Sequence, residues 1–540
     1  MQLDLKKIPF GKRLSRYMLY EETDNHNAGW QKGLYLAIAT DSGGSFIGGP
    51  MTGPKGFALI TPVSGGKDLD YTLEADPSEV VLKTDRGNAG FTIDGTKILR
   101  IECNGIGLRI NGRLGFGSIA VMTRRGVEIT MGGSICLISA RKGEMSLDCH
   151  WELKALRSTD PVIVIVPDNS SVIDLVIYDI DDAYVIPELT ESFDECVTES
   201  EADFKKFTSG LISSVAEEKR FYDFCAYGMW TGFQSFKGME LAPLNKMSDM
   251  NIHSIEQTIA ALPLMDTARG VDIICDALRG MTPGGMVPAW FSERQDLCEA
   301  VPPVYAYVIS RFIRDDRLKD VSKDRLSGLY NSMSKAVSWW LKNRAGEDGL
   351  VYYGYRHECG FPGEKIFGAG TPCASPDLAA YIALGADSLS KIAVMLDKDN
   401  EALSWEAVFE KQLDTLLNRL WKGSGFESVN TLTGDSAPAE GMLALIPLVL
   451  GNHLPGGIID VLAERVKLID FEEIPIIPAA LIILGLKAGG KDSEALSAAS
   501  TLVKSCEKSG ASDDRDKTIN AGTYFSPAAC AAILSLSGLH

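Results

Sequence analysis

Leu175-Val-Ile-Tyr-Asp179 closes a long series of short apolar runs, and Glu191-Ser-Phe-Asp-Glu-Cys-Val-Thr-Glu-Ser-Glu201 follows it; between the two, the period of the sequence changes. Upstream, apolar residues come in alternating or short continuous runs broken by turn residues, the pattern of antiparallel strands. Arg16-Tyr-Met-Leu-Tyr-Glu21, Gly33-Leu-Tyr-Leu-Ala-Ile-Ala39, Phe57-Ala-Leu-Ile-Thr-Pro62, Ile98-Leu-Arg-Ile-Glu-Cys103 and Val162-Ile-Val-Ile-Val166 are such runs. Asp94-Gly95 and Asn111-Gly112 are placed to supply the positive φ of tight hairpin turns. So many strands at this spacing predict a β-sandwich.

Downstream the apolar spacing is helical. Runs are predicted over 213–233, 255–264, 267–278, 301–312, 324–343, 376–396, 404–420, 441–450, 456–468, 477–485, 493–504 and 526–536. Twelve helices without a close sequence repeat predict a closed ring of six helix pairs, an (α/α)6 barrel, in preference to a solenoid. The expected organisation is a β-sandwich over 1–190, an acidic linker over 191–210 and the barrel over 211–540.

Composition excludes several functions. Lys+Arg 53 against Asp+Glu 72 gives a formal net charge of −19, which repels a phosphodiester backbone and argues against nucleic acid as a partner. Hydrophobic residues at 45% supply ample core. Met1-Gln-Leu-Asp-Leu-Lys-Lys-Ile-Pro-Phe-Gly-Lys12 lacks an apolar run of signal length, so a cytoplasmic location is expected. The apolar stretches 442–450 and 474–486 fall short of the roughly 20 residues of a membrane span. Eleven cysteines without C-x-x-C spacing read as free buried thiols, with no metal site. Ser42-Gly43-Gly44-Ser45 and Gly284-Gly285 lack the strand-loop-helix context of phosphate cradles, so no cofactor is expected.

One stretch carries more. Trp339-Trp340-Leu-Lys-Asn-Arg344-Ala-Gly-Glu-Asp348-Gly349-Leu350-Val-Tyr352-Tyr353-Gly-Tyr-Arg-His357-Glu358-Cys-Gly360 resembles the central segment of glycoside hydrolase family 63 and the related mannosylglycerate hydrolases. Gly284-Gly-Met-Val-Pro288-Ala-Trp290, Val301-Pro302-Pro303, Ser375-Pro-Asp377-Leu, Leu420-Trp421, Leu445-Ile-Pro447 and Phe525-Ser526 resemble further family landmarks in the same order. The resemblance implies a β-sandwich followed by an (α/α)6 barrel, and a glycosidase. The sequence departs from the family at three places. His253-Ser254-Ile255-Glu256-Gln257 stands where the family has Trp-Ser-Trp-Asp, and Pro362 stands where it has its catalytic Asp. Glu472-Glu473-Ile474-Pro475 replaces Trp-Arg-Gly-Pro.

Glycoside hydrolysis needs a protonated carboxyl for the leaving oxygen and a carboxylate to activate water or attack. Glu358, in the best-matched loop beside Tyr352, Tyr353 and Tyr355, and Glu364, six residues on, are the candidates for the acid. Burial of Glu358 against those rings would raise its pKa; the bland reading is that Glu358 anchors the loop. Glu507 corresponds to the family's base ahead of Phe525-Ser526, with Asp513, Asp514 and Asp516 in the added sequence after it. Trp290, Tyr353, Glu256, Gln257 and His357 are candidates for binding sugar by ring stacking and paired hydrogen bonds. The expected function is inverting hydrolysis of a small, α-linked carbohydrate substrate. The alternatives are a sugar-binding protein that has lost catalysis and a glycoside phosphorylase.

Overall fold

A computed structural model of the 540-residue chain describes residues 1–22, 31–38, 58–115, 117–131, 134–180, 185–189, 191–212, 219–236, 239–243, 252–291, 299–361, 364–471, 474–510 and 526–539. The first part is two antiparallel sheets face to face. One runs in the order Tyr17–Glu22, Gly33–Ile38, Ala58–Ser64, Gly107–Gly112, Val162–Val166, Glu144–Asp148, with Lys67–Asp68 hanging from the third strand. The other runs Ile119–Thr123, Gly126–Met131, Ser134–Lys142, Val172–Ile180, Ile98–Asn104, Asn88–Asp94, Val80–Lys83, Thr72–Ala75. Alternation decides which side chains meet between them. Leu34, Leu36, Ile38, Leu108, Ile110, Ile163 and Ile165 of the first sheet share one core with Phe91, Ile93, Leu99, Ile101, Leu175 and Ile177 of the second. Gly95 makes the expected turn at φ 56°, whereas Asn111 and Gly112 end a strand, where Gly112 lies against Pro161.

The stretch expected to be an acidic linker is instead a helix, α1 (Phe193–Ser209), and this corrects the sequence reading. Ser192 caps it reciprocally with Glu195, and the acids of its first turn suit the positive end of the helix. All its charges but Asp203 face solvent while Cys196 and Ser200 are buried, with α1 lying on the strands Asn88–Asp94 and Ile98–Asn104. The helix also reaches the next one, α2 (Lys219–Gly232). Asp203 accepts from the Trp230 indole at 2.8 Å and pairs with Arg13, and Lys12 bonds Glu199 at 2.7 Å. Tyr227 and Trp230 complete the sandwich core, so the two parts of the chain share a core instead of hanging on a tether.

The remaining helices are α3 (Ser254–Ile259), α4 (Thr267–Arg279), α5 (Tyr305–Arg314), α6 (Lys323–Asn343), α7 (Pro376–Met395), α8 (Asp399–Thr415), α9 (Gly456–Val466), α10 (Ile476–Ala488), α11 (Asp492–Ser509) and α12 (Pro527–Leu536). A 3-10 segment, Leu443–His453, stands between α8 and α9 because Pro447 and Gly451, at φ 54°, break an α-helix there. Helix α5 begins after Pro302-Pro303 for the same reason. Contacts run from α3 to α5, α5 to α7, α7 to Leu443–His453, that segment to α10, α10 to α12, and α12 back to α3. These six form a closed inner ring. Helices α2, α4, α6, α8, α9 and α11 each pack on one of them from outside, and the result is the (α/α)6 arrangement. Burial follows sequence: α10 and α12 are apolar and buried all round, whereas α6 buries the single stripe Leu326, Leu329, Met333, Val337, Trp340. Helix α7 is long and apolar enough to cross a membrane by composition, and in the structure it is an inner, mostly buried helix.

The inner segments touch backbone to backbone at Gly485, where a Cβ would lie 2.6 Å from the carbonyl carbon of Leu448. Gly485→Ala is therefore expected to cost about 1–3 kcal/mol, seen as a lowered thermal midpoint by circular dichroism. Gly457→Ala, at a position with nothing within 4 Å, is expected to be neutral or slightly stabilising. Equal midpoints for the two variants would contradict this close approach.

Candidate active site

An outer helix returns the chain between consecutive inner ones, so the loops that precede the inner segments gather at one end of the ring. Their contacts show it. Tyr352–Tyr353, Cys373–Ala374, Glu427–Asn430 and Ser436–Pro438 form one small sheet there. Ser254 at the start of α3 donates its backbone N–H to Ala289, and Ile255 lies so close to Gly360 that a side chain at 360 would collide with it. Gly360 also has φ 79°, which favours glycine there.

The loop between α6 and α7 is built around Glu358, which is 1% exposed. One of its oxygens accepts from Arg344 Nη2 at 2.7 Å, and the other accepts from the backbone N–H groups of Gly354 and, at 3.3 Å, Tyr355. Arg344 ends α6 and lies 5.5 Å above the Trp339 ring. Both carboxylate oxygens are thus engaged within the loop, which is the geometry of an anchor. Of the tyrosines near it in sequence, Tyr353 is buried, Tyr352 half-buried and Tyr355 64% exposed.

Glu364 is placed differently. It is half-buried, and its Oε2 accepts from the N–H of Leu443 at 3.4 Å, at the start of the 3-10 segment. Gly441, at φ 85°, leaves the space that the carboxyl occupies. Burial pushes the Glu364 pKa up, the amides of Leu443 and Met442 oppose it, and the nearby Asp377 charge adds to the rise. Asp377 was not among the sequence candidates. It stands fully buried in the first turn of α7, accepting from the Tyr353 hydroxyl at 2.7 Å and from the Ser375 hydroxyl. Burial outweighs these bonds and lifts its pKa to about 6. Its only signal in the sequence is the Ser375-Pro-Asp377 helix start, where an acid also suits the helix dipole.

The other candidates divide. Trp290 pairs across a two-residue ladder with His253 and is half-buried, Glu256 is half-buried in the first turn of α3, and His357 is exposed. All three lie on or beside the segments that the Ile255–Gly360 contact and the His253–Trp290 pairing bring together. Tyr353 and Gln257 are corrected as sugar contacts because both are fully buried. Tyr353 is wedged between Trp340 and Phe367, and the Gln257 amide points at the Ile273 carbonyl within the ring. Glu507 is exposed at the end of α11 in a groove shared with Lys6, Lys7, Arg220 and Phe221, and no described residue of the Glu358 or Glu364 loop borders it. Pro362, Glu472, Glu473, Asp513, Asp514, Asp516, Phe525 and Ser42 to Ser45 lie outside the described residues. No group of three metal-binding side chains occurs among the described residues. The described cysteines are all free thiols.

Residues 249–470 match the model of the mannosylglycerate hydrolase MGH1-like glycoside hydrolase domain. No curated protein matches the sequence. A bacterial glucoamylase solved with acarbose is similar in structure at TM-score 0.60 and 11% identity, over 99% of this chain and 94% of its own. A family GH92 α-mannosidase from Bacteroides thetaiotaomicron, solved with mannoimidazole, is similar at TM-score 0.58 and 11% identity, over 99% and 82%. A GH63 mannosylglycerate hydrolase from Thermus thermophilus, solved with glucose, matches at TM-score 0.44 and 16% identity, over 53% and 92%. The matched stretch, 249–470, lies within the ring, which is there similar to a glycoside hydrolase domain. The first two solved structures extend the likeness of fold across sandwich and ring together.

Asp377 makes a distinct pH signature. Its folded pKa of about 6 lies above the ordinary carboxylate value, so the native state holds the proton more tightly than the unfolded chain. That contribution is fully present below about pH 4 and is lost as pH rises through about 6, a change on the order of 2–3 kcal/mol. In urea titrations, Asp377→Asn is expected to flatten this part of the stability profile relative to wild type; parallel profiles would refute it.

Proposed function

We propose that the chain hydrolyses a small α-linked glycoside or oligosaccharide with inversion at the anomeric carbon, using Glu364 as the general acid. The observation that carries this reading is the half-buried Glu364 carboxyl in the loop between α6 and α7, where burial and the Asp377 charge both favour its protonated form. A carboxyl that holds its proton more tightly than usual can deliver it to the departing glycosidic oxygen. Glu364 follows the position of the family's acid by two residues, since Pro362 has no ionisable group. Glu358 acts through the loop, keeping its shape by its bond to Arg344.

The base of an inverting pair activates a water from the opposite face of the sugar, with the two carboxyls roughly 6.5–9.5 Å apart. Glu507 is the proposed base because it ends α11, next to the segment that returns the chain to the inner ring at α12. Trp290 offers a ring face to the sugar, and Glu256 and His357 offer hydrogen bonds. A sugar-binding protein without turnover is the second reading. It is favoured by the engagement of Glu358 with Arg344 and by the separate groove in which Glu507 stands.

Glu364→Gln is expected to lower kcat on a cleaved glycoside by about 10²–10⁴ while leaving the fold intact. It should also abolish the loss of rate on the alkaline side, because the wild-type acid works only below its raised pKa. Glu507→Gln is expected to lower kcat by a comparable factor. NMR of the first-formed anomer reads the stereochemistry. Full activity of Glu364→Gln would take that residue out of the acid role, and carbohydrate binding by a wild-type chain that turns nothing over would favour the second reading.

A further inference from the structure

The outer face of the ring carries a second groove that the proposed chemistry does not use. On α6, Asn331, Ser334, Ser338 and Lys342 recur every three or four residues and, with Trp339 and Glu401, line an open groove of about 420 Å³. The opposite stripe of the helix is buried in the ring. None of the four polar side chains is engaged with another described residue, so their hydrogen-bonding groups are open to a ligand.

The walls of the groove are already set. Trp339 stands edge-on to the buried Trp340 at 5.1 Å and is held from one side by the Arg344 guanidinium. Across from it, the Tyr330 hydroxyl donates to Glu401 at 2.6 Å and accepts from the Trp405 indole at 3.1 Å. A ligand therefore meets an aromatic surface and a carboxylate whose ordering cost is already met within the fold.

We infer that this groove is a second saccharide-binding site, separate from the mouth of the ring, that takes an oligosaccharide. An indole surface stacks against the C–H face of a sugar ring, and short amide, hydroxyl, ammonium and carboxylate groups around it match successive hydroxyls as donors and acceptors. Lys335 and Lys342 add ammonium donors, and Glu401, which also pairs with Lys398 at 3.3 Å, supplies the acceptor. The volume lies in the range of small-ligand pockets. The choice of a carbohydrate rests on the glycosidase reading of the mouth.

The test uses the full chain carrying Glu364→Gln, so that the probes are not consumed, with maltotriose and α-mannotriose as probes in isothermal titration. Two binding events are expected for at least one probe. Adding Ser334→Arg, which fills the groove from a half-buried position on its wall, is expected to weaken one of them by about tenfold or more and to leave the other unchanged. In an otherwise wild-type chain, Ser334→Arg should keep kcat/KM for a short glycoside. A single event indifferent to Ser334→Arg, or no binding of either probe by either protein up to about 10 mM, overturns the inference. Failure of the hydrolytic reading shows separately, as groove binding that responds to Ser334→Arg in a wild-type chain that cleaves nothing.

Discussion

The mouth of the ring depends on one buried charge. Glu358 is sealed from solvent, and a carboxylate in that position persists only if a cation and several N–H groups replace the water it has lost. Arg344 provides the cation from the end of α6, and the turn at Gly354 and Tyr355 provides the amides. Removing one partner of such a pair typically costs about 3–5 kcal/mol, because the other is left buried and uncompensated. The bond reaches in both directions. On one side it fixes the chain that carries Tyr353 to Asp377 and continues to Glu364; on the other it holds Arg344 above Trp339, and so sets the wall of the outer groove.

Four carboxyl groups show how environment, more than residue type, assigns a role. Glu358 is engaged with a cation, Asp377 is buried among hydroxyls at a helix start, Glu364 is half-buried against backbone amides, and Glu507 is exposed beside lysines. Glu364 combines partial exposure with a raised pKa, whereas Asp377 is raised but sealed. Asp377 is inaccessible to a substrate and bears on the site through the field it adds around Glu364.

The sandwich and the ring are joined by burial as well as by covalent chain. Helix α1 lies on the second sheet, its Asp203 ties α2 to the N-terminal segment through Trp230 and Arg13, and Tyr227 accepts a hydrogen bond from the Gly11 N–H at 2.9 Å. The N-terminal residues that precede the first strand thereby serve the junction. An interface of shared aromatic core resists the relative motion that a tether would permit.

Much of this was legible from order and period alone. Alternating runs place one face of each strand inward whatever its partner, and the all-round apolar helices α10 and α12 can only be internal, so the β-then-α architecture, the extents of α4, α6 and α7, and the loops bearing Glu358 and Glu364 followed from the sequence. Other features depended on contacts between distant residues. The acidic stretch 191–201 reads as a solvated linker because its charges dominate its composition, yet its few small and apolar positions find a sheet to lie on. Tyr353 and Gln257 have the right chemistry for sugar, but their local sequence does not reveal that the ring closes over them. The division of labour among Glu358, Glu364 and Asp377 likewise belongs to the tertiary structure, because a carboxyl's charge state is set by the cations, amides and solvent that folding brings to it, and those come from segments far apart in the chain.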